Sequence, residues 1–212
     1  IIGMVEDCTG ERMLRDKTIH QLWGGCREID DDYVLYSSML REHNTDWEYK
    51  LWSDEEAYDE VHQLIDEFNI PYKQYTYDIE RWDILRFLIT YKFGGLICDL
   101  DMSCSGSINS IITGCNGFMY EKNISNSPEM RMIHQNFFYN NPGDKFIEHI
   151  MKCTRYSLSL AKGLKKREHV SACIGPSMLT RCYSTYPNKP RVNLLNDDDV
   201  YEIITHHHLC LW

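Results

Sequence analysis

The segment from Asp78 to Asp101 constrains this chain more than any other part of it. Ile79, Trp82, Leu85, Leu88, Ile89 and Phe93 recur at helical spacing and predict one amphipathic helix over Asp78–Phe93. Gly94-Gly95 supplies its C-terminal stop. Leu96-Ile97-Cys98 then reads as a short buried strand that runs directly into Asp99-Leu100-Asp101. A helix feeding a buried strand that ends in charge is a repeating unit of α/β sheets. Ligands of such sheets gather beyond the carboxyl ends of the strands.

The rest of the chain fits the same class. Thr18 to Trp23 predicts a first buried strand closed by Gly24-Gly25, and Asp30-Asp31-Asp32 offers N-caps for a helix through about Arg41. Trp47 to Trp52 predicts a second strand. Ser53 with Glu56 forms a capping box for a helix whose apolar stripe is Ala57, Val61, Leu64, Ile65 and Phe68, ended by Pro71. Tyr72 to Tyr77 is expected as a third, short strand. Further along, a strand is expected over Gly117–Tyr120, helices over Glu129–Tyr139 and Lys145–Ala161, and a short helix opened by Gly175-Pro176. Val192–Leu195 and Val200–Ile204 read as late strands. No repeat, low-complexity tract or Pro/Gly-rich linker divides the sequence. The expectation is one α/β domain over 1–212, with a mostly parallel central sheet flanked by helices.

Charge narrows the function classes. The 22 Lys+Arg against 32 Asp+Glu give a net charge of −10, which argues against a general binder of nucleic acid or of anionic membrane. A small anionic ligand stays open, because a few arginines, helix N-termini or a metal can hold a phosphate inside an acidic protein. No apolar run approaches the roughly 20 residues of a membrane span, and the opening IIGMVEDCTGER turns charged too soon for a signal peptide. The nine cysteines form no C-x-x-C pair, so neither a zinc ribbon nor a thioredoxin-type site is expected. They read as thiols of a reducing compartment, and the expected location is the cytoplasm, or the Golgi lumen if an anchor has been removed.

Asp99 and Asp101 are the first candidates for chemistry. If the chain stays extended after the strand, residues i and i+2 point the same way and both carboxylates face one site. Hard divalent cations want such oxygen ligands together with substrate phosphates. Asp83 and Arg86, three apart on the predicted helix, have a plain reading as a surface ion pair worth less than about 1 kcal/mol. Yet Asp83 interrupts an otherwise apolar face, which a merely solvated pair does not need. His20 is expected in the core with a hydrogen bond. No P-loop or strand-linked G-x-G-x-x-G is present. A haloacid-dehalogenase-type phosphohydrolase, which also places D-x-D after a strand, is disfavoured because the pair comes so late and is followed by Met102-Ser103.

The run from Asp83 through Arg86, then Tyr91-Lys92-Phe93-Gly94-Gly95 and Asp99-Leu100-Asp101, resembles the signature of DXD-motif glycosyltransferases. The likeness is to the sugar-binding region of glycosyltransferase family 32 (α-mannosyltransferase-like) and to the glucosylating domain of large clostridial toxins. Trp82, where Ser is usual, and Cys98, where Tyr often sits, depart from the pattern without removing charge. Lys17–Trp23, Glu48–Asp54 and Gly175–Thr180 are similar to other blocks of that family, in family order.

The resemblance implies a GT-A (Rossmann-like) fold, with 17–101 as a nucleotide-sugar-binding half and 102–212 as an acceptor or closing half. It implies a retaining, metal-dependent hexosyltransferase with a UDP- or GDP-hexose donor, a Mn²⁺ or Mg²⁺ ion, and a glycan or protein hydroxyl as acceptor. By the same pattern Asp101 binds the metal, and Asp99 contacts the ribose or reaches the metal through water. Asp83 accepts from sugar hydroxyls, Arg86 steadies the sugar or diphosphate, and Trp23 stacks on the base unless it is a core residue. A closing C-terminal segment brings His207 or His208 as a metal ligand and Trp212 to the donor. A non-catalytic nucleotide-sugar-binding module on the same fold is the competing reading.

Overall fold

A computed structural model describes residues 14–25, 28–122 and 131–209. Among them the elements run β1 (Thr18–Trp23), α1 (Asp31–Glu42), β2 (Glu48–Ser53), α2 (Asp54–Glu67), α3 (Asp78–Phe93), β3 (Gly95–Cys98), β4 (Met102–Cys104), β5 (Asn116–Lys122) and β6 (Arg131–Asn140). There follow α4 (Lys145–Ala161), α5 (Lys166–Cys173), α6 (Pro176–Thr185), β7 (Leu194–Asn196), α7 (Asp197–Tyr201) and β8 (Ile204–His206). Six strands form one sheet in the order β2-β1-β3-β6-β5-β7, and β4 pairs with β8 in a separate ladder. The pairings β1–β2, β1–β3 and β5–β7 are parallel, and β6 runs antiparallel to both its neighbours.

Alternation along the central strands sends side chains into two cores. Ile97, Phe118 and Phe138 join the core under α2, α3, α4 and α6, while Leu96, Cys98, Met119, Phe137 and Tyr139 join the one under α1, the β4–β8 ladder and α7. The sheet is thus covered on both faces, as a mostly parallel sheet must be. Gly95 makes the passage from α3 to β3 possible. Its φ is +90°, and a Cβ there would lie 2.4 Å from the Thr18 carbonyl oxygen.

Three sequence expectations are corrected. Residues 131–139 of the expected helix Glu129–Tyr139 belong to the strand Arg131–Asn140. Phe137-Phe138-Tyr139 packs on both faces of the sheet, and so continuous an apolar run carries no period that separates a central strand from a buried helix. The stretch from Tyr72 to Tyr77 is a 3₁₀ turn over Tyr72–Gln74 rather than a strand. The N–H groups of Thr76 and Tyr77 donate to the Glu80 carboxylate, each at 3.0 Å, instead of to a ladder. The late strand begins at Ile204, because Asp197-Asp198-Asp199 form the first turn of α7, where acidic side chains favour helix. On α3, Ile84 and Phe87 are buried along with Leu85, Leu88 and Ile89, while Ile79, Trp82 and Phe93 are only half-buried.

Candidate active site

The site is assembled at the carboxyl end of β3. The Asp99 N–H donates to the Asn136 carbonyl at 2.9 Å, and the Met102 N–H then donates back to the Asp99 carbonyl at 3.1 Å. The segment is therefore a turn, not the extended chain that sequence alone suggested for bringing the two carboxylates together. The buried amide of Gln21 on β1 holds this turn, donating from Nε2 to the Asp99 carbonyl at 3.1 Å. Gln21 is fixed in turn by hydroxyls of Ser37 and Tyr49, which donate to its Oε1 at 2.9 and 2.8 Å.

The β4–β8 ladder places His206 opposite Met102, next to the aspartates. His206 Nε2 lies 3.2 Å from Asp101 Oδ2, which also accepts from the Leu209 N–H at 3.0 Å. One ligand atom from each of Asp99, Asp101 and His206 lies within 4.8 Å of the others. His207 was the expected histidine. It turns away instead: its ring stacks on Tyr36 with centroids 3.9 Å apart, and Ser103 Oγ sits 2.8 Å from its Nε2. Alternation along the short β8 strand decides which neighbour faces Asp101. His208 lies in the left-handed region with φ of 53°, its ring 4.0 Å from that of His206. Trp212 falls outside the described residues.

Arg86 joins the two candidate pairs. Its guanidinium donates to both Asp83 and Asp99, and Gln135 Nε2 lies 3.4 Å from the other Asp83 oxygen. Asp83 has no exposed side-chain surface, and Arg86 has 12%. The family resemblance assigns Asp83 to sugar hydroxyls; in this structure its oxygens are turned to Arg86 and Gln135. The plain reading of a solvated pair is also excluded by this burial.

Charge balance shapes the protonation of these groups. Burial raises Asp83, and Arg86 works against that rise. Burial pushes Asp99 up to about 6, opposed by Arg86 and assisted by the neighbouring Asp101 and Asp83 charges. Burial also tends to raise Asp101, but the hydrogen bond and charge of His206 outweigh it and hold Asp101 low. His206 is raised although burial opposes its charged form, because Asp101 stabilises the imidazolium. Three carboxylates thus face two cationic groups. The two carboxylates suit Mn²⁺ or Mg²⁺, with positions left over for phosphate oxygens, and the imidazole is a ligand that Mn²⁺ accepts more readily than Mg²⁺. The donor set fits such an ion.

The rim is formed by β1, α1 and the tail. Trp23 lies against Tyr33 with ring centroids 5.4 Å apart, and the Tyr33 hydroxyl donates to the Leu209 carbonyl at 3.1 Å. A cleft lined by Asp30, Asp31, Asp32, Tyr33 and Leu209 opens beside them. Trp82 packs on the Gly24-Gly25 turn so closely that a Cβ on Gly24 would lie 1.9 Å from its ring. His20 is buried as expected. Trp52 Nε1 donates to its Nδ1 at 3.1 Å, its Nε2 faces the Gly94 carbonyl at 3.0 Å, and burial lowers it to about 4. Gln21, Gln135 and His206 are the site residues that sequence reasoning passed over. Only His206 carried a signal, as one of three consecutive histidines.

Residues 30–116 match the family described as glycosyltransferase sugar-binding region containing DXD motif. Two solved structures superpose over most of the chain. The PaToxG glycosyltransferase has a TM-score of 0.60 at 15% identity, covering 84% of this chain and 72% of that one. The ligand-free glycosyltransferase domain of the YGT toxin has a TM-score of 0.57 at 9% identity, covering 84% and 80%. This is the GT-A fold. Among curated proteins, inositol phosphoceramide mannosyltransferase 3 of Schizosaccharomyces pombe is 34% identical over 96 residues, which are 45% of this chain and 27% of that protein. A mannosyl phosphorylinositol ceramide synthase of Saccharomyces cerevisiae is 28% identical over 106 residues, 50% of this chain and 28% of that protein. The matched stretch thus covers less than a third of either relative. The family-matched segment, residues 30–116, contains Asp83, Arg86, Asp99 and Asp101.

Proposed function

We propose that the chain is the catalytic core of a metal-dependent hexosyltransferase that moves a sugar from a UDP- or GDP-hexose to a hydroxyl acceptor with retention of configuration. The observation that carries this reading is the convergence of Asp99, Asp101 and His206 at the end of β3. It lies within the matched DXD segment and the β8 strand that folds back on it. Asp101 and His206 would hold Mn²⁺ or Mg²⁺ directly, with Asp99 completing the site from the ribose side. When bound, the ion supplies Lewis-acid stabilisation of charge developing on the departing diphosphate.

The chain's own residues supply the rest. Arg86 fixes the Asp99 carboxylate and neutralises part of the acidic cluster, so that an anionic donor can enter. Gln21 holds the turn that carries both aspartates. Trp23 and Tyr33 offer aromatic faces for the base, and the tail at Leu209 closes on Asp101. The mannosyl transfer in the names of the curated relatives favours mannose as the sugar, and their inositol phosphoceramide favours an inositol hydroxyl as acceptor.

The test is turnover. Donor sugars of both bases are incubated with the protein and Mn²⁺, and release of nucleoside diphosphate is measured. Release with at least one donor that disappears in Asp101→Ala, with folding intact, supports the transferase. Binding without release would make the chain a nucleotide-sugar-binding module.

A further inference from the structure

We propose that the turn joining α4 to α5 docks this protein on an anionic lipid surface. α4 buries one face and leaves large apolar side chains exposed on the other near its C-terminal end. Ile150, Met151, Thr154, Ser157 and Ala161 are buried, yet on the outer side Tyr156 is 69% and Leu160 54% exposed, and Leu164 in the following turn is 42% exposed. Tyr156 and Leu160 are four apart and share a face. They form an apolar stripe that the fold leaves in water.

The charge beside this stripe reverses that of the molecule. Lys162, Lys165, Lys166 and Arg167 lie within six residues spanning the turn and the start of α5, with Glu168 as the one neighbouring carboxylate, in a chain of net charge −10. All of them are exposed. Among the described residues no ion pair engages Lys162, Lys165 or Arg167. Apolar side chains next to unpaired cations are the composition of an interfacial segment, which buries the former shallowly among lipid headgroups and sets the latter against anionic phosphates. The aliphatic leucines favour a bilayer over nucleic acid. So does the acidity of the remaining surface, which would repel an extended polyanion but stands off a membrane touched at one corner.

α5, which follows the turn, also touches the start of α3. Lys166 Nζ lies 5.3 Å from the Tyr77 ring at the cap of α3, and His169 Nδ1 lies 2.9 Å from Glu80, three residues before Asp83. A membrane held there would border the helix that carries Asp83 and Arg86.

Vesicle co-sedimentation, without nucleotide or metal, tests this independently of the transferase reading. Vesicles of phosphatidylcholine alone are compared with vesicles of phosphatidylcholine mixed with phosphatidylserine. Each basic side chain near such a surface is worth about fivefold in partitioning, so Lys162→Gln/Lys165→Gln/Arg167→Gln should lose roughly a hundredfold on the anionic vesicles. Leu160→Ser/Leu164→Ser should weaken binding while leaving its salt dependence in place. All five positions are exposed, and unchanged melting curves would confirm that both variants fold. Equal partitioning onto neutral and anionic vesicles, or variants that bind like the parent, would overturn the proposal. So would stronger competition by a single-stranded RNA than by anionic vesicles, which would assign the patch to nucleic acid.

Discussion

Replacing Arg86 by Met removes the cation that Asp83 and Asp99 share. Asp83 would be left with no exposed surface and with the Gln135 amide, at 3.4 Å, as its remaining hydrogen-bond partner among the described residues. Breaking a buried pair on one side costs about 3–5 kcal/mol, because the surviving charge is neither solvated nor neutralised. For a chain of 212 residues this corresponds to a fall in melting temperature of about 6–20 °C. Urea unfolding should show the loss as a lower midpoint at constant slope. The double variant Asp83→Asn/Arg86→Met tests the cause. With the buried charge gone, it should recover at least about 2 kcal/mol over Arg86→Met. Two results would refute the reasoning: a loss below about 1 kcal/mol in Arg86→Met, the size of a solvated pair, or a double variant no more stable than the single one.

His20 is lowered by burial to about 4 from an ordinary value near 6.5, so its contribution is complete above pH 6.5 and is lost as the pH falls through about 4. The parent should lose about 3 kcal/mol more stability across that window than His20→Gln, as read from urea midpoints at successive pH values. Gly24→Ala drives a methyl into the Trp82 ring and should cost about 1–3 kcal/mol. Trp82→Ala should relieve most of that cost, and a strictly additive double variant would contradict the contact.

Much of this fold is legible in the sequence because its signals are local. The capping box at Ser53 and Glu56, the stripe of α2 and the Gly94-Gly95 stop each act within a few residues. β6 is not legible, because burial on both faces erases the period that separates a central strand from a buried helix. The site divides in the same way. Asp83, Arg86, Asp99 and Asp101 are contiguous enough to be noticed, and the family match covers them. Which histidine meets Asp101 depends on the register of β8 against β4, a pairing across about a hundred residues that no local pattern encodes. The roles of Gln21 and Gln135 depend on strands meeting in space, and an isolated glutamine gives no sign of that.

Mn²⁺ binding followed by electron paramagnetic resonance tests the central claim most directly, since bound and free ion differ in signal amplitude. With a nucleotide sugar present, the parent should deplete the free Mn²⁺ signal. Asp101→Asn and His206→Ala should each weaken that binding by at least about tenfold, while His207→Ala should leave it unchanged. A parent that leaves the free signal undiminished would contradict the metal site. Loss of binding in His207→Ala but not in His206→Ala would contradict the assignment of its ligands.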